Sequence, residues 1–212
     1  MMDKKTSDEI VARLEKEYPL AACTLDFQEA YELVVSVRLA AQCTDARVNQ
    51  VTPALFARFP TAADMAKADI EEVEEYIRSC GFYHGKARDI VGAAKMITEE
   101  FAGRVPDNME DLLRLPGVGR KSANLILGDV YNSPGAVVVD THCIRITNLL
   151  GYVDTKDPVK IEPILRAILP PEKSNDFCHR MVIHGRAVCV ARRPQCDKCV
   201  LADLCRYAKG NT

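Results

Sequence analysis

The sequence predicts an almost all-α protein on three observations. Apolar residues recur at the helical period along most of the chain, strand-like runs are few, and glycine or proline punctuation falls at regular intervals. Two runs could read as strand: VVSV, which lies inside the helical pattern FQEAYELVVSVRLAAQ, and AVVV, directly before Asp140. Thr6-x-x-Glu9 has the form of a capping box that opens a first helix ended by Pro19. Further helices are expected from Asp26 to Gln42, from Asp45 to Phe59, from Asp69 to Cys80 with Gly81 as the stop, and from His84 to Phe101 before Gly103. SANLILGDV and THCIRITNLLG continue the helical pattern, and Asn132-Ser133-Pro134-Gly135 is where a change of lobe is expected.

A chain of 212 residues can bury one good-sized core, or two modest lobes that share a cleft. The N-terminal segment MMDKKTSDEIVARLEKEY is charged and lacks the apolar centre of a signal peptide, and no apolar run is long enough to span a bilayer. Nine cysteines without an export signal point to a reducing, cytoplasmic setting, where thiols serve as metal ligands or core residues. The net charge of -2 gives no global nucleic-acid signature, so any polyanion binding must come from local patches.

One such patch surrounds Cys189, Cys196, Cys199 and Cys205, four thiols within one short segment. They suffice for a closed tetrahedral metal site or a cubane cluster, and the polar residues among them argue against a merely buried set. The unequal gaps lean towards iron-sulfur, although spacing alone leaves zinc open. With every ligand a cysteine the site reads as structural. Arg192 and Arg193 within the loop, and Lys198 just beyond, are candidate phosphate contacts.

A second motif, LRLPGVGRKS at 113–122, sets Gly117 and Gly119 around one apolar residue and then starts a helix. Such a turn can present backbone N–H groups to a phosphate at a positive helix terminus, which makes Leu115, Gly117, Val118, Gly119 and Arg120 candidate phosphate contacts, while LPGVG alone reads equally as an ordinary helical turn. It is not a Walker loop, because no Gly-Lys-Ser/Thr follows. Lys121, in the first turn of that helix, is a candidate nucleophile beside a second cation. Asp140 is the candidate carboxylate partner, and it is also placed to cap the next helix.

His84, His142, His179 and His184 have no ligand-like spacing and are expected to be satisfied core or DNA-facing histidines. Cys23, Cys80, Cys143 and Cys178 read as small core hydrophobes within helical patterns, and the acidic run from Glu71 to Glu75 as a solvated face turned away from DNA.

LPGVGRKSAN, VVVDTH and MVIHGRAVCVARRPQCDKCVLADLC occur in this order, with LAAQCTD and CGFYHGKA upstream. Together they resemble the endonuclease III branch of the helix-hairpin-helix DNA glycosylases over nearly the whole chain. The resemblance implies two helical lobes with double-stranded DNA across the cleft: a six-helix domain over 22–133, and a cluster domain from 1–21 plus 134–212. It implies a [4Fe-4S] cluster on the four cysteines, Lys121 and Asp140 as the catalytic pair, and Gln42, Phe82 and His84 among the DNA contacts. Gln42 and Phe82 would enter the duplex around a flipped nucleotide. Phe82 stands where leucine is also familiar, and Cys43 where a small apolar residue is more usual, a change expected to have little effect. The implied activity is excision of oxidised pyrimidines with β-elimination at the abasic site; no pattern encodes the oligomeric state, and a monomer is the default expectation.

Two alternatives stand beside it. An adenine-type mismatch glycosylase typically lacks the lysine and carries an added C-terminal domain, neither of which is expected here. A non-catalytic DNA-binding protein, with a cluster or a zinc staple, would need no Lys121.

Overall fold

The structure, a computed structural model, describes residues 2–210. Twelve α-helices and three short 3-10 turns make up its regular structure, with no strand among the described residues. No helix among them is long and apolar enough to cross a membrane. The chain divides into two compact units, Cys23–Tyr131 and Met1–Ala22 with Asn132–Thr212.

Cys23–Tyr131 holds α2 (Ala30–Leu39), α3 (Asp45–Arg58), α4 (Ala62–Ala66), α5 (Ile70–Ile77), α6 (Tyr83–Glu100), α7 (Met109–Leu112) and α8 (Arg120–Asp129). Its centre is α2, which packs against α3, α6 and α8. Leu33, Val34, Val35, Val37 and Leu39 are all buried there. A helix apolar on nearly every side has to be interior. Burial of each such side chain contributes roughly 1.5–3 kcal/mol, which outweighs the strand preference of VVSV.

This helix is shorter than the periodicity predicts. Glu29 caps it in a reciprocal box with Glu32, so it starts at Ala30 rather than Asp26. The Asp26 amide is instead taken by the side chain of Asn49 at 3.0 Å. The helix ends at Leu39, which leaves Ala40 to Cys43 as a turn.

The other unit contains α1 (Lys4–Glu17), α9 (Thr141–Leu150), α10 (Pro158–Ile168), α11 (Ser174–Ala187) and α12 (Arg206–Gly210). Helix α11 packs on α1 and α9 through buried Phe177 and Met181, and Tyr152 reaches Ser7 Oγ at 3.1 Å. The cap of α1 is Asp3, not Thr6. The Asp3 carboxylate accepts from the Thr6 amide at 3.0 Å and from its hydroxyl at 2.6 Å, because a charged acceptor holds orphan amides better than a hydroxyl does. Ala136 to Val139 are buried and adopt no regular structure, so AVVV is core-lining coil rather than strand.

Candidate functional site

In Cys23–Tyr131 the hairpin runs from α7 through Leu115-Pro116-Gly117-Val118 into α8. The Val118 amide donates to the Leu115 carbonyl at 3.1 Å, closing a turn with proline second and glycine third at φ 78°. That is a type II turn, whose third position needs the left-handed region. A β-carbon on Gly117 would also strike the side chain of Arg38, whose Nε is tied to Asp89 at 2.6 Å. Gly119, with φ -97° and open space around it, caps α8 without a side-chain hydrogen bond. The first-turn N–H groups of α8, which no helical carbonyl can accept, therefore open towards the exposed face.

Lys121 and Arg120 are exposed on this first turn. Leu115 and Val118 are buried, so any contact they make with a phosphate comes from the main chain, while their side chains anchor the turn.

Gln42 and Phe82 are both exposed non-glycine residues in the left-handed region, at φ 56° and 47°. Such conformations cost on the order of 1–3 kcal/mol each and persist only where neighbours enforce them. The enforcing group is Lys86, whose side chain is buried and donates to the Leu39 carbonyl at 2.7 Å and the Cys80 carbonyl at 2.8 Å. One ammonium thus holds the turn bearing Gln42 beside the turn bearing Phe82, and burial pulls its pKa down. Lys86 stands in CGFYHGKA, yet nothing local separates it from a solvated lysine.

Exposed His84 sits within 2.7 Å of Glu74, and Glu72 pairs with Arg58 at 2.6 Å. The acidic run is thus not wholly a solvated face: two of its carboxylates are engaged, one of them with a residue expected to meet DNA. Cys23 also departs from expectation, since it is half-buried in a loop rather than set in a helix.

In the other unit, Asp140 caps α9, its Oδ1 accepting from the Cys143 amide at 2.7 Å. The carboxylate is half-buried and immobilised, with its second oxygen left for other chemistry. The structure therefore places Lys121 and Asp140 in separate units, each fixed by its own helix start.

Cys189, Cys196, Cys199 and Cys205 line a single apolar pocket with Leu149, Val188, Pro194 and Ala202. No group of three or more His, Cys, Asp or Glu side chains among the described residues is gathered closely enough to hold a single metal ion. Four cysteines on one apolar pocket suit an all-thiolate site, whether zinc or an iron-sulfur cluster. Arg145 donates to Cys189 Sγ at 3.4 Å, and His184 Nε2 lies 3.4 Å from Cys199 Sγ while its Nδ1 meets the Tyr18 hydroxyl at 3.0 Å. His184 is thus a core histidine with partners on both ring nitrogens, one of them a cysteine of the pocket. Arg192, Arg193 and Lys198 are exposed on the same segment.

Residues 35–171 match the HhH-GPD superfamily of base excision DNA repair proteins, and residues 189–205 match the iron-sulfur binding domain of endonuclease III. The chain belongs to the endonuclease III family. It is 47% identical over 208 residues to endonuclease III of Synechocystis sp., covering 98% of this chain and 95% of that one. Identity to the Escherichia coli endonuclease III is 36% over 206 residues, 97% of each. Among solved structures, a non-covalent endonuclease III–DNA complex and a trapped endonuclease III–DNA covalent intermediate each match with TM-score 0.91 at 38% identity, covering 100% of this chain and 99% of theirs. The chain is accordingly a base excision repair enzyme with the DNA glycosylase and abasic-site lyase activity of the family. Its C-terminal segment carries an iron-sulfur cluster, [4Fe-4S] in this family.

Proposed function

We propose that the chain excises oxidised pyrimidines from double-stranded DNA with Lys121 as nucleophile and Asp140 as its carboxylate partner. The observation that carries this reading is the exposed Lys121 on the first turn of α8, directly after the phosphate-presenting hairpin. A phosphate held by the Gly117–Gly119 backbone sets the register of the strand against that turn. Arg192, Arg193 and Lys198 add sequence-independent phosphate contacts.

Extrusion of the nucleotide costs least for a saturated ring that stacks poorly, and Gln42 and Phe82 fill the gap it leaves. The Lys121 Nζ then attacks C1′, the C1′–N bond breaks, and the base departs with a proton. Asp140 steadies the positive charge developing on the sugar and moves the proton. Loss of a C2′ proton from the resulting Schiff base expels the 3′ phosphate by β-elimination, and water releases the lysine. The four cysteines would hold the cluster, which supplies structural order rather than a chemical step. The trapped covalent intermediate known for the relative supports a covalent route here. The setting is the cytoplasm, on the nucleoid, and the acting species a monomer.

Borohydride trapping on a duplex with one thymine glycol, with wild type against Lys121→Ala, tests this reading. A covalent adduct in the wild type alone, with the variant still bound to DNA, is expected. Base release without any adduct would instead make the enzyme monofunctional, with Asp140 activating water.

A further inference from the structure

The hairpin turn rests on two helices of its own unit. Pro116 lies over Gly92 of α6, where a β-carbon would come within 3.3 Å of the proline Cγ. A β-carbon on Gly117 would stand 2.7 Å from Arg38 Nε and 3.1 Å from Asp89 Cβ. Arg38 belongs to the last turn of α2, four residues before Gln42, and Asp89 to α6, three residues before Gly92. Arg38 Nε donates to Asp89 Oδ2 at 2.6 Å, with 22% of the arginine side chain and 33% of the aspartate side chain still exposed. That bond uses one of the five N–H donors of the guanidinium and leaves the four on its terminal nitrogens. Asp89 is the one carboxylate partner of Arg38 among the described residues. A half-buried guanidinium therefore lies against the hairpin, at the end of α2 that leads to Gln42.

We propose that Arg38 contacts the DNA phosphate seated on the hairpin, and that Asp89 holds the guanidinium in place while lowering the affinity it supplies. The inference rests on the reading of the Gly117–Gly119 hairpin as a phosphate site. A phosphate held by main-chain N–H groups has oxygen lone pairs to spare, and a planar guanidinium with two free terminal nitrogens is shaped to meet them. The bond to Asp89 orders the side chain before DNA arrives, so less rotamer freedom is lost on binding. The same carboxylate is an anion close to an anionic ligand and subtracts from the attraction. With a net charge of -2 the protein has no global field to offset that loss, so single local cations decide.

A purely bracing role predicts something different. A stem that only fills the space beside Gly117 needs no charge, so an apolar side chain of the same reach would serve as well. An ion pair that only ties α2 to α6 makes both partners matter in the same direction. A phosphate contact attenuated by its own partner makes them matter in opposite directions, and it alone changes the number of counterions released on binding.

The experiment compares the whole, cluster-loaded protein with three variants. Arg38→Met keeps an unbranched stem without the charge, Asp89→Asn keeps an oxygen acceptor for Nε without the charge, and Gly119→Pro removes one hairpin N–H at a φ of -97°. Anisotropy on a thymine glycol duplex and on its undamaged counterpart is followed from low to high salt, and thermal melts record stability. Arg38→Met is expected to bind both duplexes roughly 10-fold more weakly. Its slope of log affinity against log salt should be shallower by about 0.9. Asp89→Asn is expected to bind more tightly, and this variant tests the inference even where Arg38→Met folds poorly. Unchanged affinity and slope in Arg38→Met, with binding lost in Gly119→Pro, overturn the inference and leave the hairpin reading standing. Unchanged binding in Gly119→Pro and Arg38→Met alike overturns the hairpin reading, and the inference falls with it. Weaker binding in both Arg38→Met and Asp89→Asn, with lower melting temperatures and an unchanged slope, overturns the inference in favour of bracing.

Discussion

The turns bearing Gln42, Phe82 and Gly117 owe their shapes to packed neighbours: buried Lys86 beneath the first two and the half-buried Arg38–Asp89 pair beside the third. In the segment 189–205 Leu201 is the one buried residue, and the 3-10 turn Cys196–Lys198 is its regular element. The first region is ordered by the packed core of its unit. The second has too little apolar surface to order itself, so its shape must come from the iron-sulfur cluster that the segment carries. The groups we propose to face DNA are therefore ordered by two independent means, and each can be broken without the other.

The largest effect is expected from breaking the second. Cys199→Ser, or removal of the iron by a chelator under oxidising conditions, should make 189–205 sensitive to protease while the helices of Cys23–Tyr131 stay protected in hydrogen exchange. The cations Arg192, Arg193 and Lys198 would then lose their fixed positions. The slope of log affinity against log salt should fall by up to about 2.7, three contacts at about 0.9 each. An unchanged slope with a released segment would remove those three residues from the interface.

A smaller and sharper effect separates the two hairpin glycines. At Gly117→Ala the left-handed φ of 78° costs roughly 1–2 kcal/mol, and Arg38 must also move off the new methyl. Gly119→Ala meets neither obstacle and should change stability by no more than about 0.5 kcal/mol. Thermal melts of the two variants decide it, and equal losses would show that the turn is not what positions α8.

Much of this site is legible in the sequence because its positions are set locally. Four cysteines in one segment, an Asp at a helix start and a lysine after LPGVG keep their places whatever the rest of the chain does. The buried state of Leu115 and Val118, the contact of Arg38 with Gly117, and the clamp at Lys86 are not local. Each depends on another helix, and Lys86 meets the Leu39 carbonyl across 47 positions. The early end of α2 has the same origin: its apolar pattern continues past Leu39, but that carbonyl is claimed by Lys86 and the chain turns.

A third break probes that clamp. Lys86→Met keeps the apolar stem and removes the donor, leaving two buried carbonyls without their partner at a cost of roughly 1–3 kcal/mol each. Relief from burying the ammonium offsets part of that cost, so a net loss of about 1–3 kcal/mol is expected in urea melts. The pH dependence distinguishes the clamp from simple packing. Burial lowers the Lys86 pKa in the folded protein, whereas the unfolded chain keeps an ordinary lysine near 10.4. Between those two values the unfolded state binds more protons, and stability must therefore rise with pH. Wild type should gain stability on Lys86→Met as pH climbs through that window, because a neutral amine can still donate to both carbonyls and no longer has a charge to desolvate. A constant difference across the window would mean that Lys86 holds the turns by its stem alone.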